Sequence, residues 1–174
     1  PDLNIKLHYH GIEKTIFDEC LTNPYQSDCK NAVFVGMSHF DQRFIEVASN
    51  IFDNIIFHII GNINSKLKAK NVKYYGILSF KDTIGYIKYA DIGLAIRKDE
   101  NKQLVKTLDS TLKVIQYTYC KLPIILPSLI ETEQKNFFKY IYDDEYSIRL
   151  AIENALKFDK KSFMPDKILT WEEL

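Results

Sequence analysis

Short apolar runs alternate with amphipathic stretches along most of the chain, and this alternation limits the possible folds more than any other feature. The runs are rich in isoleucine, valine and aromatic residues, as is typical of strands buried on both faces of a sheet. They predict strands at 31–35, 55–60, 72–75, 91–96, 122–126 and 137–141. Because strand and helix alternate about six times, the sequence predicts an α/β fold with a mostly parallel sheet and helices on both faces.

Amphipathic helices are predicted in the intervals between these strands. Asp41 or Ser38 can cap the first of them, whose apolar face carries Phe44, Ile45, Ala48, Ile51 and Phe52. Further helices are predicted at 80–90, at 108–117, from Asp143 or Asp144 to residue 156, and at 168–174. A short strand at 1–9 and a charged loop at 97–107 complete the predicted elements.

The helix predicted at 108–117 combines an apolar face with a polar stripe. Asp109 or Ser110 can serve as its N-cap, because a short side-chain oxygen can accept from the free N–H groups of the first turn. Ser110, Lys113 and Gln116 are spaced three residues apart and lie along one stripe. A helix N-terminus carries partial positive charge, so this stripe suits an anion such as a phosphate. The alternative is a solvated polar face without a ligand.

Several loops, three of them containing glycine, follow the predicted strands and are expected to meet at one edge of the sheet. Ligands of open parallel sheets bind outside the carboxyl ends of the strands, where the strand order reverses. Glycine in such a loop lets the backbone approach a ligand closely. The groups expected at this edge are Gly36, Met37, Ser38, Gly61, Asn62, Gly76, Ile77, Leu78, Arg97 and the helix start with Ser110, Lys113 and Gln116.

Three segments are expected along the 174 residues. Residues 1–30 are interpreted as a connector from a further, N-terminal domain, because 22–29 is rich in turn formers. Residues 31–158 form the predicted globular domain. Residues 159–174 form a predicted tail helix, in which the single tryptophan, Trp171, is expected to pin the tail to a core.

Composition excludes several classes of protein. Lys+Arg and Asp+Glu are both 23, and this balance argues against a nucleic-acid partner bound by a strong overall positive field. The sequence contains no apolar run of about 18 residues that could span a membrane, and the mixed, charged first residues predict no secretion signal. The three cysteines have no metal-binding spacing and favour a reducing compartment.

A series of short motifs resembles, in the same order, the C-terminal nucleotide-sugar-binding domain of GT-B glycosyltransferases. The motifs lie at 10–13, 32–36, 59–61, 72–76, 89–94, 112–117 and 121–123, with Phe17 in the connector. The resemblance covers about residues 8–158 and implies a Rossmann-like doubly wound sheet of six strands, half of a GT-B fold. The spacing of Leu112, Lys113 and Gln116 is similar to that of bacterial xanthan-type UDP-glucuronate-dependent glucuronosyltransferases, in which a methionine replaces Leu112.

This resemblance implies roles for particular residues. Lys113 would stabilise the negative charge of the leaving UDP, and the segment around Leu78 would hold the uracil through backbone groups. Met37, Ser110, Leu112, Lys113 and Gln116 would contact the diphosphate and the ribose, and residues near Arg97 and Lys98 would face the donor. The full set implied in donor binding is Gly36, Met37, Ser38, Leu78, Arg97, Ser110, Leu112, Lys113 and Gln116.

The implied activity is transfer of a sugar, with glucuronate as the candidate, from a UDP-sugar to a glycan or lipid-linked acceptor in bacterial polysaccharide biosynthesis. The sequence lacks an Asp-x-Asp motif and the paired glutamates of many retaining relatives, so an inverting, metal-independent reaction without a cofactor is expected. The general base and the acceptor site would lie in an N-terminal domain outside this sequence, and this chain alone is expected to be inactive. The expected location is cytoplasmic, with peripheral association at the inner face of the membrane.

Two alternatives stay open at this point. One is a non-catalytic nucleotide-binding or protein-binding module with an ordinary doubly wound fold. The other is a sugar-nucleotide epimerase, which shares the GT-B architecture. An upstream Rossmann-like domain would favour the transferase, and a carboxylate-rich cleft in that upstream half would bear on the epimerase.

Overall fold

The structure, a computed structural model, describes residues 10–26, 28–37, 39–64, 67–98 and 108–174. The strands are β1 (Lys30–Val35), β2 (Ile55–Ile60), β3 (Val72–Gly76), β4 (Ile92–Leu94), β5 (Ile124–Pro127) and β6 (Phe137–Tyr140). The helices of the described part are α1 (Lys14–Glu19), α2 (Gln42–Ile51), α3 (Phe80–Tyr89), α4 (Leu112–Tyr119) and α5 (Glu145–Leu156), with a 3-10 turn at Leu108–Ser110. The predicted strand at 1–9 and most of the predicted loop at 97–107 lie outside these residues.

The six strands form one sheet in the order β3-β2-β1-β4-β5-β6, and all neighbouring strands are parallel. Parallel neighbours require a crossover connection, and helices lie between most of the successive strands. The strand order reverses between β1 and β4, so this is the point at which the carboxyl edge of the sheet opens. The predicted α/β fold, a Rossmann-like doubly wound sheet with helices on both faces, is confirmed.

A hydrophobic core lies on each face of the sheet. Successive residues of a strand point to opposite faces, so Ala32 and Phe34 enter the core beneath α2 and α5, whereas Val33 enters the other core. Ile84 of α3 and Tyr117 of α4 belong to this second core. The buried Tyr117 hydroxyl donates to the Val33 carbonyl oxygen at 3.2 Å, which fixes α4 against the middle of the sheet.

Side-chain caps start three of the helices. Asp41 accepts from the Phe44 N–H at 3.0 Å, and Asp144 accepts from the Ser147 N–H at 2.8 Å. Ser79 accepts from the Asp82 N–H at 3.1 Å at the start of α3. Asp41 and Asp144 were both predicted as start residues, and both predictions are confirmed because the short side chains close the first turn as expected.

The predicted start of α4 is wrong. Asp109 and Ser110 do not cap the helix, because they belong to the 3-10 turn that precedes it, and Thr111 is the N-cap residue. The Thr111 hydroxyl donates to the Leu108 carbonyl oxygen at 2.7 Å and so closes this turn. The Asp109 carboxylate accepts a hydrogen bond from the Thr132 hydroxyl instead of from a helix N–H.

The fourth strand is shorter than the predicted 91–96, since only Ile92–Leu94 is paired as strand. Asp91 stands before the strand, where its carboxylate accepts from the Asn31 N–H at 2.8 Å and from the Lys30 ammonium at 2.9 Å. Residues 95 and 96 are buried and follow the strand toward the open edge of the sheet.

The first and last described segments lie against each other. The Ile12 N–H donates to the Leu169 carbonyl oxygen at 3.0 Å. Helix α1, which the sequence did not predict, buries Phe17 in the second core. The division of the chain at residues 30 and 158 stays a prediction.

The terminal helix predicted at 168–174 is wrong, because these residues form extended chain and turns. Trp171 is 51% exposed, and its ring forms a T-shaped contact with His10, with 6.1 Å between ring centroids, instead of packing into a core. None of the helices in the described part of the chain is long and apolar enough to cross a membrane.

Candidate functional site

Three glycines end the first three strands and bring the backbone of their loops into contact. The Gly36 N–H donates to the Ile60 carbonyl oxygen at 3.0 Å, and the Gly61 N–H donates to the Gly76 carbonyl oxygen at 2.8 Å. Gly61 has a φ of +136°, and a Cβ built on it would lie 1.7 Å from the Gly36 carbonyl oxygen. Only glycine permits this approach, and the absence of side chains at Gly36 and Gly61 leaves the carboxyl edge beside β1 accessible.

Lys113 reaches this edge from the first turn of α4. Its Nζ lies 4.3 Å from the centroid of the Phe34 ring, within the range of a cation–π contact. The same Nζ lies 3.2 Å from the position that a Cβ on Gly36 would occupy. The absence of a side chain at Gly36 therefore makes room for the ammonium over the end of β1.

The electrostatics of this ammonium are unusual. Burial, and to a smaller extent the positive charge of Arg97, lower the pKa of Lys113 from 10.5 to about 8. Among the described residues, neither Lys113 nor Arg97 forms an ion pair with a carboxylate. The two cations thus influence each other at the open edge, and Lys113 is largely desolvated. A desolvated lysine near a second cation, with no carboxylate of the described residues paired to either, is typical of sites that bind an anion.

Arg97 is held at the edge through its backbone. Its N–H points to the Tyr140 hydroxyl oxygen at 3.4 Å, and that hydroxyl donates to the Asp41 carboxylate at 2.7 Å. Asp41 and Tyr140 are 1% and 0% exposed. Sequence reasoning assigned Asp41 only to the cap of α2 and Tyr140 only to a strand, because their contact joins residues 99 apart. No spacing in the sequence signals that contact.

The other predicted site residues occupy several environments. Met37 follows Gly36 and is 69% exposed, and Leu112 precedes Lys113 and is 37% exposed. Ser110 is half-buried in the 3-10 turn. Gln116 is 6% exposed, one turn after Lys113. Ser38 lies outside the described residues.

Leu78 lies further along the sheet edge than the cation pair. It packs against the second core and lines a groove of about 850 Å³ between α1 and α3. Of the predicted donor-binding residues, Gly36 and Lys113 are thus in contact, and Arg97 is near enough to influence the charge of Lys113.

The topology and the open edge define a Rossmann-like α/β domain, a class that binds ligands where the strand order reverses. The chain is 31% identical over 166 residues to the UDP-glucuronate:glycolipid 2-beta-glucuronosyltransferase of Xanthomonas campestris pv. campestris. The match covers 94% of this chain and 40% of that enzyme, so the chain spans well under half of the relative's length. No protein-family model matches the chain. The chain is thus related to a bacterial glucuronosyltransferase, and the predicted resemblance is confirmed.

Proposed function

We propose that this chain is the donor-binding part of a glycosyltransferase and that it holds the UDP portion of a UDP-sugar. The observation that carries the proposal is the pair formed by Lys113 and Arg97, which no carboxylate of the described residues neutralises. A diphosphate bound between these cations, at the amino end of α4, relieves their repulsion. It also raises the pKa of Lys113, so the lysine is charged in the complex.

The chemical role of the cation pair is to stabilise the leaving group. The acceptor hydroxyl attacks the anomeric carbon with inversion, the bond from that carbon to the diphosphate oxygen breaks, and its electron pair stays on UDP. Lys113 and Arg97 stabilise the negative charge that develops there, because charges fixed in a poorly solvated site need no reorganisation during the reaction. Since these two side chains supply the positive charge, the scheme includes neither a metal ion nor a cofactor.

The remaining predicted residues complete the donor site in this proposal. Met37 and Leu112, the exposed neighbours of Gly36 and Lys113, contact the ribose. Ser110 and Gln116 orient the diphosphate. The backbone from Gly76 to Leu78 holds the uracil.

We further propose UDP-glucuronate as the donor and a glycolipid or other lipid-linked glycan as the acceptor, on the model of the Xanthomonas relative named for these substrates. The general base and the acceptor site lie in a part of the enzyme outside this chain, at the cytoplasmic face of the membrane. The chain alone then binds UDP but transfers no sugar.

A thermal-shift screen tests this function. UDP and UDP-glucuronate, added at about one hundred times their dissociation constants, are expected to raise the Tm by about 5 °C or more. ADP and GDP are expected to raise it less, because the backbone groups from Gly76 to Leu78 are proposed to bind the hydrogen-bonding edge of uracil, which a purine does not present. Equal shifts for all nucleotides would reduce the site to a general anion site, and no shift with any of them would contradict the proposal.

A further inference from the structure

The buried carboxylate of Asp41 does more than a helix cap requires. Its Oδ1 accepts from the Phe44 N–H at 3.0 Å, which is the cap, and its Oδ2 accepts from the Tyr140 hydroxyl at 2.7 Å. Burial raises the pKa of this carboxyl, and the charge of Asp143 adds to that effect. Serine, threonine or asparagine caps a helix equally well without a buried charge. The second hydrogen bond therefore calls for another explanation.

The carboxylate fixes the direction of the hydrogen bonds at Tyr140. An ionised carboxylate only accepts, so the single hydroxyl proton of Tyr140 must point to Asp41. The Tyr140 oxygen is then free to accept, and the Arg97 N–H faces it at 3.4 Å. A serine or asparagine at position 41 could both donate and accept, so it would not determine which way the Tyr140 hydroxyl proton points.

A second hydrogen bond links the segment after β4 to the loop between β1 and α2. The Lys98 N–H donates to the His39 carbonyl oxygen at 2.8 Å, and His39 adopts a left-handed φ of 54°. The chain leaving β4 is thus attached to the β1–α2 loop directly at Lys98 and, through Tyr140 of β6, at Arg97. Gly36, over which the Lys113 ammonium lies, begins that loop.

We propose that Asp41 and Tyr140 are positioning residues for the donor diphosphate: they hold the backbone of Arg97 so that its side chain and that of Lys113 face the same anion. This inference rests on the donor-binding function proposed above. The two residues touch neither substrate nor reacting atoms. Instead, they set the distance between Arg97 and Lys113, whose side chains contact the diphosphate.

The decisive variant is Tyr140→Phe, which removes one oxygen and keeps the ring that packs on Phe44. Its UDP affinity is expected to fall about fivefold, the effect of one lost hydrogen bond in the chain that fixes Arg97.

A second measurement follows the acetylation of Lys113 against pH by mass spectrometry and needs no UDP. Among the described residues, Arg97 is the charged group that lowers the pKa of Lys113, and the ring in contact with the ammonium belongs to Phe34. Once Arg97 is released, the midpoint of labelling is expected to rise by half a pH unit or more.

Phe44→Leu is the matched control for packing. It weakens the ring contact with Tyr140, at 4.8 Å between centroids, and leaves both carboxylate hydrogen bonds in place. It is expected to lower the Tm without changing the UDP affinity or the labelling midpoint. If Tyr140→Phe does not fold, Asp41→Asn decides by the same criteria. Its amide oxygen can still cap Phe44, but its NH2 group donates toward the Tyr140 oxygen and competes with the Arg97 N–H.

The inference is upheld if the UDP affinity and the labelling midpoint both change in Tyr140→Phe and neither changes in Phe44→Leu. It is overturned if either quantity is unchanged in Tyr140→Phe, or if Phe44→Leu has the same effect. If the unmodified chain does not bind UDP, the proposed function fails, and the labelling midpoint alone decides whether Asp41 and Tyr140 position Arg97.

Discussion

Lys113 should lower the stability of the folded chain when no anion is bound. In the folded state its pKa is lowered from 10.5 to about 8, so below pH 8 the fold carries the full cost of a desolvated ammonium near Arg97. That cost disappears as the pH rises from 8 to 10.5. The contact with Phe34 offsets part of it. The net cost at pH 7 is about 2 kcal/mol.

Lys113→Met is therefore expected to be more stable than the unmodified chain by about 2 kcal/mol at pH 7 and to lose UDP binding. Urea denaturation at pH 7 and pH 10 measures the first effect. The advantage of the variant should shrink at pH 10, where the lysine is largely neutral in the folded state. A variant that is less stable at pH 7 would contradict this account of the site.

Sequence reasoning placed candidate site residues at one edge of the sheet but did not predict the contacts that hold them there. Gly36, Arg97 and Lys113 could be placed together, because strands, glycines and a helix start occurred in the right order. The link from Asp41 to Tyr140 could not, because it joins residues 99 apart and neither residue type is unusual in a cap or a strand. Such a contact follows from the packed sheet, not from local spacing.

The loops that end the strands depend on two glycines with positive φ, and these two differ in their surroundings. Gly61 has a φ of +136° and meets the Gly36 carbonyl oxygen, whereas Gly76 has a φ of +69° and has nothing within 4 Å of its Cβ position. Gly76→Ala is expected to cost about 1 kcal/mol, the strain of a left-handed residue. Gly61→Ala is expected to cost more than about 3 kcal/mol, because the loops must separate.

Chemical denaturation of the two variants tests this difference, and each serves as the control for the other. UDP affinity should fall in Gly61→Ala, since separating the loops of β1 and β2 moves Gly36 away from Lys113. Similar losses of stability in both variants would mean that the close contact between Gly61 and Gly36 adds nothing to the cost of the substitution.

Among the elements, those with strong periodicity were predicted best. Strands β2 and β3 and helices α2, α3 and α5 have the expected bounds to within a residue or two. At the start of β4 the error comes from a tertiary hydrogen bond, because Asp91 pairs with Asn31 before the strand. At the start of α4 it comes from local structure, because Thr111 bonds to the Leu108 carbonyl oxygen and closes a 3-10 turn. Helix α1 was missed because Phe17 is its single buried residue.

One buried group should make the stability of the entire chain sensitive to acid. His58, in β2, is 3% exposed and lies between the Tyr75 hydroxyl at 2.8 Å and the Asn31 Oδ1 at 3.0 Å. Because the amide oxygen can only accept, Nε2 carries the proton and Nδ1 accepts from Tyr75. Tyr25 and Tyr86 also pack on the imidazole, so this cluster joins the segment before β1 to the sheet.

Burial lowers the pKa of His58 from 6.5 to about 4, and the charge of Lys73 acts in the same direction. The unfolded chain therefore binds a proton between pH 6.5 and 4 that the folded chain does not bind. Stability is full above pH 6.5 and falls by about 3 kcal/mol as the pH drops to 4. His58→Gln is expected to flatten this part of the curve of Tm against pH. An equally steep curve in the variant would assign the acid sensitivity to other groups.

The chain matches 40% of the length of its Xanthomonas relative. The proposal therefore assigns donor binding to this chain and the other functions to the rest of the enzyme. In the proposed scheme, the carboxyl edge of the sheet supplies positive charge for a donor diphosphate. The acceptor site and the general base are assigned to the remainder of the enzyme. Donor binding by the isolated chain is therefore the property on which the account depends.

Calorimetric titration of UDP at pH 7 measures this property most directly, with Lys113→Ala as the variant and Lys70→Ala as its control. Lys70 is an exposed lysine in the turn before β3, at the opposite edge of the sheet. The account predicts that the unmodified chain and Lys70→Ala bind UDP alike and that Lys113→Ala binds at least about tenfold more weakly. Equal affinities of the unmodified chain and Lys113→Ala for UDP would contradict it.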